Sequence, residues 1–177
     1  MGPIPPGSDG HDPSGRHTRL PALGPHGEGW VVGQAILLVA VAALGIRGLA
    51  SLPPSDPAGT ARVVVGLGLL VVGGLVGLAG LRALGSSLTA TPRPKRDAEF
   101  VDSGIYARIR HPLYVAVTLS ALGWAVATGT PAGVAVALLL AAWLDAKSRR
   151  EEAWLLEAYP AYAAYRQRTH RFVPGVY

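Results

Sequence analysis

VVVGLGLLVVGGLVGLAGL, residues Val63 to Leu81, is a run of 19 residues without a charge. At 1.5 Å of rise per residue, a helix over it covers roughly the 30 Å of a bilayer's hydrocarbon core. The run therefore reads as a membrane-spanning helix, at about residues 63–83, and it sets the frame for the rest of the chain. Gly66, Gly68, Gly73, Gly74, Gly77 and Gly80 would weaken a soluble helix, whereas in lipid small residues let neighbouring helices approach closely. The same six also suit the plain composition of a chain with 23 glycines.

Upstream, Ser51-Leu-Pro-Pro-Ser-Asp-Pro-Ala-Gly59 sets three prolines and an aspartate in a turn that no helix crosses. Before it, Trp30 to Ile46 is apolar except for Gln34, and Leu49 to Leu52 extend it to a first span at about residues 30–50. Residues 1–29 are rich in Pro and Gly and lack an apolar period, so a disordered tail is expected there, and it has no signal-sequence pattern. Downstream, residues 86–111 turn polar. Pro112 to Leu144 is then free of charge over 33 residues, too long for one span of about 20. Gly129-Thr-Pro-Ala-Gly133 supplies the break, giving a hairpin of spans at about 112–128 and 131–146, the second continuing as a helix through Asp145 and Glu152. The expected fold is all-α: an integral membrane bundle of about four transmembrane helices with a cytoplasmic C-terminal helical segment, over residues 30–177.

Composition agrees. Half of the chain is hydrophobic and 15% is charged, against about 25% charged in a soluble domain. The net charge of +5 is distributed by topology. Fourteen basic side chains fall on the side of the termini and the 86–111 segment, and only Arg47 and Arg62 on the other. The positive-inside rule then places both termini in the cytoplasm, and a nucleic-acid partner is not expected. With no cysteine there is no disulfide, thiolate nucleophile or cysteine-ligated metal, and no metal site is assigned. Oligomeric state is not set by the sequence.

Two segments crowd ionisable and aromatic side chains against the spans, and the hairpin brings them to one face. The first is Gly104-Ile-Tyr-Ala-Arg-Ile-Arg-His-Pro-Leu-Tyr114. Pro112 suits the first turn of a helix capped by His111, whose free backbone N–H groups favour an anion or carboxylate. Arg110 suits a bidentate carboxylate clamp, and Tyr106 and Tyr114 suit stacking on a ring or hydrogen bonding. Basic and aromatic residues at a span boundary are also ordinary interfacial anchors, and that reading stands beside the ligand one. The second segment carries Glu151 and Glu152, about 100° apart on a helix, so only one faces a pocket fully. The inward one would hold a ribose hydroxyl or an ammonium, or pair with Arg110. A solvated, charge-balanced face with Arg149 and Arg150 is the alternative. Tyr159, Tyr162 and Tyr165 suit packing.

Gly104-Ile-Tyr106, then Arg110-His-Pro-Leu-Tyr114, a hairpin, Glu151-Glu152 with Leu155 and Leu156, and finally Tyr162, Tyr165, Arg171 and Pro174 closely resemble the isoprenylcysteine carboxyl methyltransferase family and the related phospholipid methyltransferases. The resemblance covers roughly residues 100–174. It implies S-adenosylmethionine as cofactor, enclosed at the cytoplasmic face, and a hydrophobic lipid-linked acceptor arriving from the lipid bilayer. Carried over residue by residue, it implies that Tyr106, His111, Pro112, Tyr114, Glu151 and Glu152 line the cofactor pocket and that Arg110 and Arg166 grip an acceptor carboxylate. Ile105 stands where that family usually has proline, Ala153 where an arginine often follows the glutamates, and Tyr159-Pro160 in place of a common Phe-Gly. Sterol-reductase-like proteins resemble the family in the same half, so an NADPH-dependent membrane reductase is an alternative. A phospholipid amine N-methyltransferase and a non-catalytic scaffold are the others.

Overall fold

The computed structural model describes residues 20–21, 23–52, 56–87 and 100–175. They form helices α1 (Glu28–Gly48), α2 (Pro57–Leu84), α3 (Pro112–Ala127), α4 (Pro131–Ala158) and α5 (Tyr162–Arg168). Short 3-10 turns cover Leu49–Ser51, Gly85–Ser87 and Gly104–Ala107. The fold is all-α, as expected. By length and composition α1, α2 and α4 can each cross a membrane, and α3 is a shorter apolar helix of 16 residues. Most of the N-terminal tail, residues 1–19, and the basic stretch 88–99 lie outside the described residues.

Local chemistry explains where the helices start. The Asp56 carboxylate accepts from the Gly59 N–H at 2.8 Å and Pro57 opens α2, which satisfies one free donor where proline needs none. Pro112 and Pro131 open α3 and α4 in the same way. Between those two helices Gly129 takes φ +66°, and the Arg62 guanidinium lies where its Cβ would sit. Both the turn and the neighbour therefore require glycine there. α4 continues without a break from its apolar half into the polar residues beyond Leu144.

Packing is antiparallel from one helix to the next, with α2 on α3, α3 on α4, and α4 on α1. The buried residues of α2 are Gly66, Gly73 and Gly80, spaced seven apart. A Cβ on Gly66 would lie 2.5 Å from the Ala127 backbone nitrogen, one on Gly73 2.7 Å from Ser120 Oγ, and one on Gly80 2.9 Å from the Leu113 side chain. These three form a close seam, which Gly77 flanks at Ala116, whereas Gly68 and Gly74 face open space. On the other side the Trp143 indole N–H donates to the Trp30 carbonyl at 3.0 Å, their rings 4.8 Å apart, and Gly33 makes room for the Trp143 ring. Val41, Ala121, Ala137, Leu140 and Leu144 form the core between α1, α3 and α4. Val64, Leu67, Val71 and Leu75 of α2 and Ile36 and Val39 of α1 point outward, an apolar surface suited to lipid.

The seam also fixes the depth of the elements. Arg62 and Arg82 bracket about 30 Å of α2 at 1.5 Å per residue. Gly66 meets Ala127 and Gly80 meets Leu113 and Pro112, so α3 lies inside that bracket and His111 sits at the Arg82 end. Because α2 leans on α3 and not on α1, a groove of about 670 Å³ opens among the three helices, lined by Leu38, Val41, Gly77, Leu81, Val117 and Trp124 among others.

Candidate functional site

The site is held by a short backbone splice. The Arg110 N–H donates to the His170 carbonyl at 2.8 Å, the His170 N–H to Arg108 at 3.1 Å, and the His111 N–H to Arg171 at 3.2 Å. This parallel bridge around Ile109 and His170 lays the chain end beside the start of α3. The Tyr165 hydroxyl adds a 2.7 Å hydrogen bond to the Tyr106 carbonyl. Tyr159, Tyr162 and Tyr165 pack their rings around Phe100. The polar half of α4 then carries Glu151 and Glu152 against this assembly.

Glu152, 2% exposed, lies at the centre. Its Oε1 is 2.8 Å from Arg110 Nε and 3.2 Å from His111 Nε2, and it accepts from Arg171 Nε at 3.2 Å. Its Oε2 accepts from Arg171 Nη2 at 3.0 Å and faces Arg166 Nε at 3.6 Å. Glu151 points a different way. It accepts from the Tyr114 hydroxyl at 2.7 Å, with His111 Nδ1 at 3.7 Å, and keeps partial exposure. His111 thus sits between both carboxylates, its ring stacked on Tyr114 at 5.3 Å.

Burial by itself would raise the Glu152 carboxyl. The hydrogen bonds from His111, Arg171 and Arg110 outweigh it and hold that group well below the usual carboxylate range. Burial pushes the Tyr165 hydroxyl up to about 12 and raises Tyr106 and Tyr162 as well. These phenols stay neutral donors at physiological pH. The Tyr162 hydroxyl, on a residue 1% exposed, is buried with no hydrogen-bond partner among the described residues.

Arg110, His111, Tyr114, Glu151, Glu152 and Arg166 therefore meet at one end of the bundle, with Pro112 opening α3 beneath them and Tyr106 joined through Tyr165. Two details differ from expectation. The N–H groups of His111, Tyr114 and Val115 are already taken by Arg171 and His111 carbonyls, so the start of α3 is less open to an anion than its proline suggests. Arg110 Nη1 donates to the carbonyls of Arg166 and Thr169, so that guanidinium is committed to the protein on both sides. Sequence reasoning named Arg171 only as part of the resemblance, with no role at the site, and left out Lys147. Arg171 follows an irregular segment with no period to orient it. Lys147 reads in sequence as a cation at the end of a span, and only the phase of α4 against α1 shows that it is buried.

Arginine, histidine and paired glutamates thus gather at one boundary of a membrane bundle. Residues 61–162, more than half of the chain, match the sequence model of the phospholipid methyltransferase family, and the chain belongs to that family. It is also similar to the cobalt-zinc-cadmium resistance protein CzcN of Cupriavidus metallidurans, 40% identical over 81 residues. That match covers 45% of this chain and 38% of the relative, so the chain spans well under half the length of that protein.

Proposed function

We propose that the protein transfers a methyl group from S-adenosylmethionine to a lipidic acceptor, the carboxylate of an isoprenylcysteine-like molecule, at the cytoplasmic face of a membrane. The observation that carries this reading is the meeting of His111 with Glu151 and Glu152 at the boundary end of a membrane bundle whose family is that of the phospholipid methyltransferases. The basic residues of the described chain gather at that end, with Arg47 and Arg62 opposite, which supports a cytoplasmic site.

The donor set suits the cofactor. Among the described residues both close partners of Glu151 engage Oε2, leaving Oε1 to accept from a ribose hydroxyl or an ammonium. The buried Tyr162 hydroxyl also needs an acceptor. When bound, the cofactor supplies an activated sulfonium methyl for in-line displacement. The chain's part is to align and to exclude water. Glu151 and Tyr114 hold a polar edge, the arginine cluster fixes Glu152, and the splice of residues 108–111 with 169–171 closes the wall. A carboxylate acceptor is already ionised and needs no base. The apolar groove supports a lipid tail, because its lining starts one helical turn beyond the site: Val117 follows Tyr114 on α3.

The reading is tested by calorimetry of the purified protein with S-adenosylhomocysteine and with NADPH, followed by transfer of labelled methyl to a small prenylated cysteine analogue. Binding of S-adenosylhomocysteine and incorporation of label are expected. A preference for NADPH would replace methyl transfer with reduction, and label reaching only an amine lipid would change the acceptor.

A further inference from the structure

Four arginines around the site have carboxylate partners. Arg110, Arg166 and Arg171 reach Glu152, and Arg149 reaches Asp145. Lys147 is different. It is 3% exposed, and no carboxylate lies within ion-pair distance of it among the described residues. Its Nζ donates to the Gln34 Oε1 of α1 at 2.7 Å and sits 5.0 Å from the centre of the Tyr114 ring. An ammonium has three donors, and a neutral amide with an aromatic face satisfies it in part. The Glu151 carboxylate, one turn further along α4, acts on it only from beyond ion-pair distance, and a buried charge left in that state is costly unless a closer anion completes it.

Its position makes that anion a ligand group. Leu140 and Leu144 precede Lys147 on the same inward face of α4 as core residues, so the ammonium caps the core where α1, α3 and α4 meet. The Tyr114 ring beneath it gives its hydroxyl to Glu151. One turn beyond Gln34 and Tyr114, Leu38 and Val117 begin the lining of the apolar groove. Lys147 thus stands between the polar cluster and the groove.

We infer that Lys147, held in place by Gln34 and the Tyr114 ring, forms a carboxylate-binding subsite of this protein. The inference rests on the methyltransferase reading for its two sources of that chemistry, the amino-acid end of the cofactor and the head of the acceptor. A buried cation here favours an anionic head and opposes an ammonium one.

The test uses full-length protein in nanodiscs and two matched pairs of probes. S-adenosylhomocysteine is compared with 5′-methylthioadenosine, which lacks the amino-acid end, and an S-prenylated thioacetic acid with its methyl ester. Lys147→Met is expected to weaken the carboxylate member of one pair about tenfold or more, with its partner unchanged. A loss in the nucleoside pair assigns the subsite to the cofactor, and a loss in the lipid pair assigns it to the acceptor. Lys147→Arg is expected to keep part of the preference. Gln34→Leu lowers it while leaving the charge, and provides a second variant should Lys147→Met fail to fold. An unchanged preference in both pairs overturns the inference. Failure of the wild type to bind either nucleoside, with a Lys147-dependent preference for the lipid acid retained, overturns the methyltransferase reading and leaves the subsite standing.

Discussion

At Glu152 two buried guanidiniums and a histidine converge on a pair of oxygens, and the energetics follow from what each would become alone. Glu152→Gln leaves Arg110 and Arg171 without their charge partner in a poorly solvated place, a change that costs about 3–5 kcal/mol when one side of a buried pair is removed. Denaturant unfolding in detergent micelles measures it. The pH dependence has a defined sign. Because the folded protein holds this carboxyl below its usual 4.5, the stability it contributes is complete above about pH 4.5 and is lost as pH falls toward the folded value. Wild-type protein is expected to show that acid slope and Glu152→Gln to show less of it. At the partly exposed neighbour, Tyr114→Phe removes the hydroxyl that orients Glu151 and is expected to weaken S-adenosylhomocysteine binding several-fold, with a smaller effect on stability. The meeting of Arg110 and His111 with the glutamates was legible from the hairpin, which returns one segment to the other. Which glutamate faces inward was not, because adjacent residues on a helix differ by about 100° and the choice is made by α5 and the chain end.

Among the helices, α2 shows how far composition misleads. Its six glycines look alike in sequence, yet three at a spacing of seven press against α3 and two meet nothing. The spacing of seven was present in the sequence, but without a partner helix it did not single out a face. Gly73→Leu is expected to cost about 1–3 kcal/mol through overpacking against Ser120 and Ala116, whereas Gly68→Leu and Gly74→Leu remain near neutral, as thermal unfolding in micelles will show. The four long helices were readable because uncharged length bounded by proline and glycine is a direct signal. The parallel splice between residues 108–111 and 169–171 was not readable, since three backbone hydrogen bonds leave no side-chain pattern.

For the whole molecule, sidedness is the property to measure. The chain has no cysteine, so single introduced thiols report without background. A cysteine at Ala58 is expected to react with an impermeant maleimide from outside intact cells, and one at Ser103 only after the membrane is opened. The opposite pattern would turn the site outward. The glycine seam has a mechanical consequence at this scale. Glycine brings the α2 backbone so close to α3 that few side chains stand between them to rearrange, so the two helices behave as one stiff board. Any breathing that admits a lipid tail to the groove then falls to α1, whose hold on the bundle combines Val41 in the core with interlocked indoles and one amide, groups that can tilt without separating.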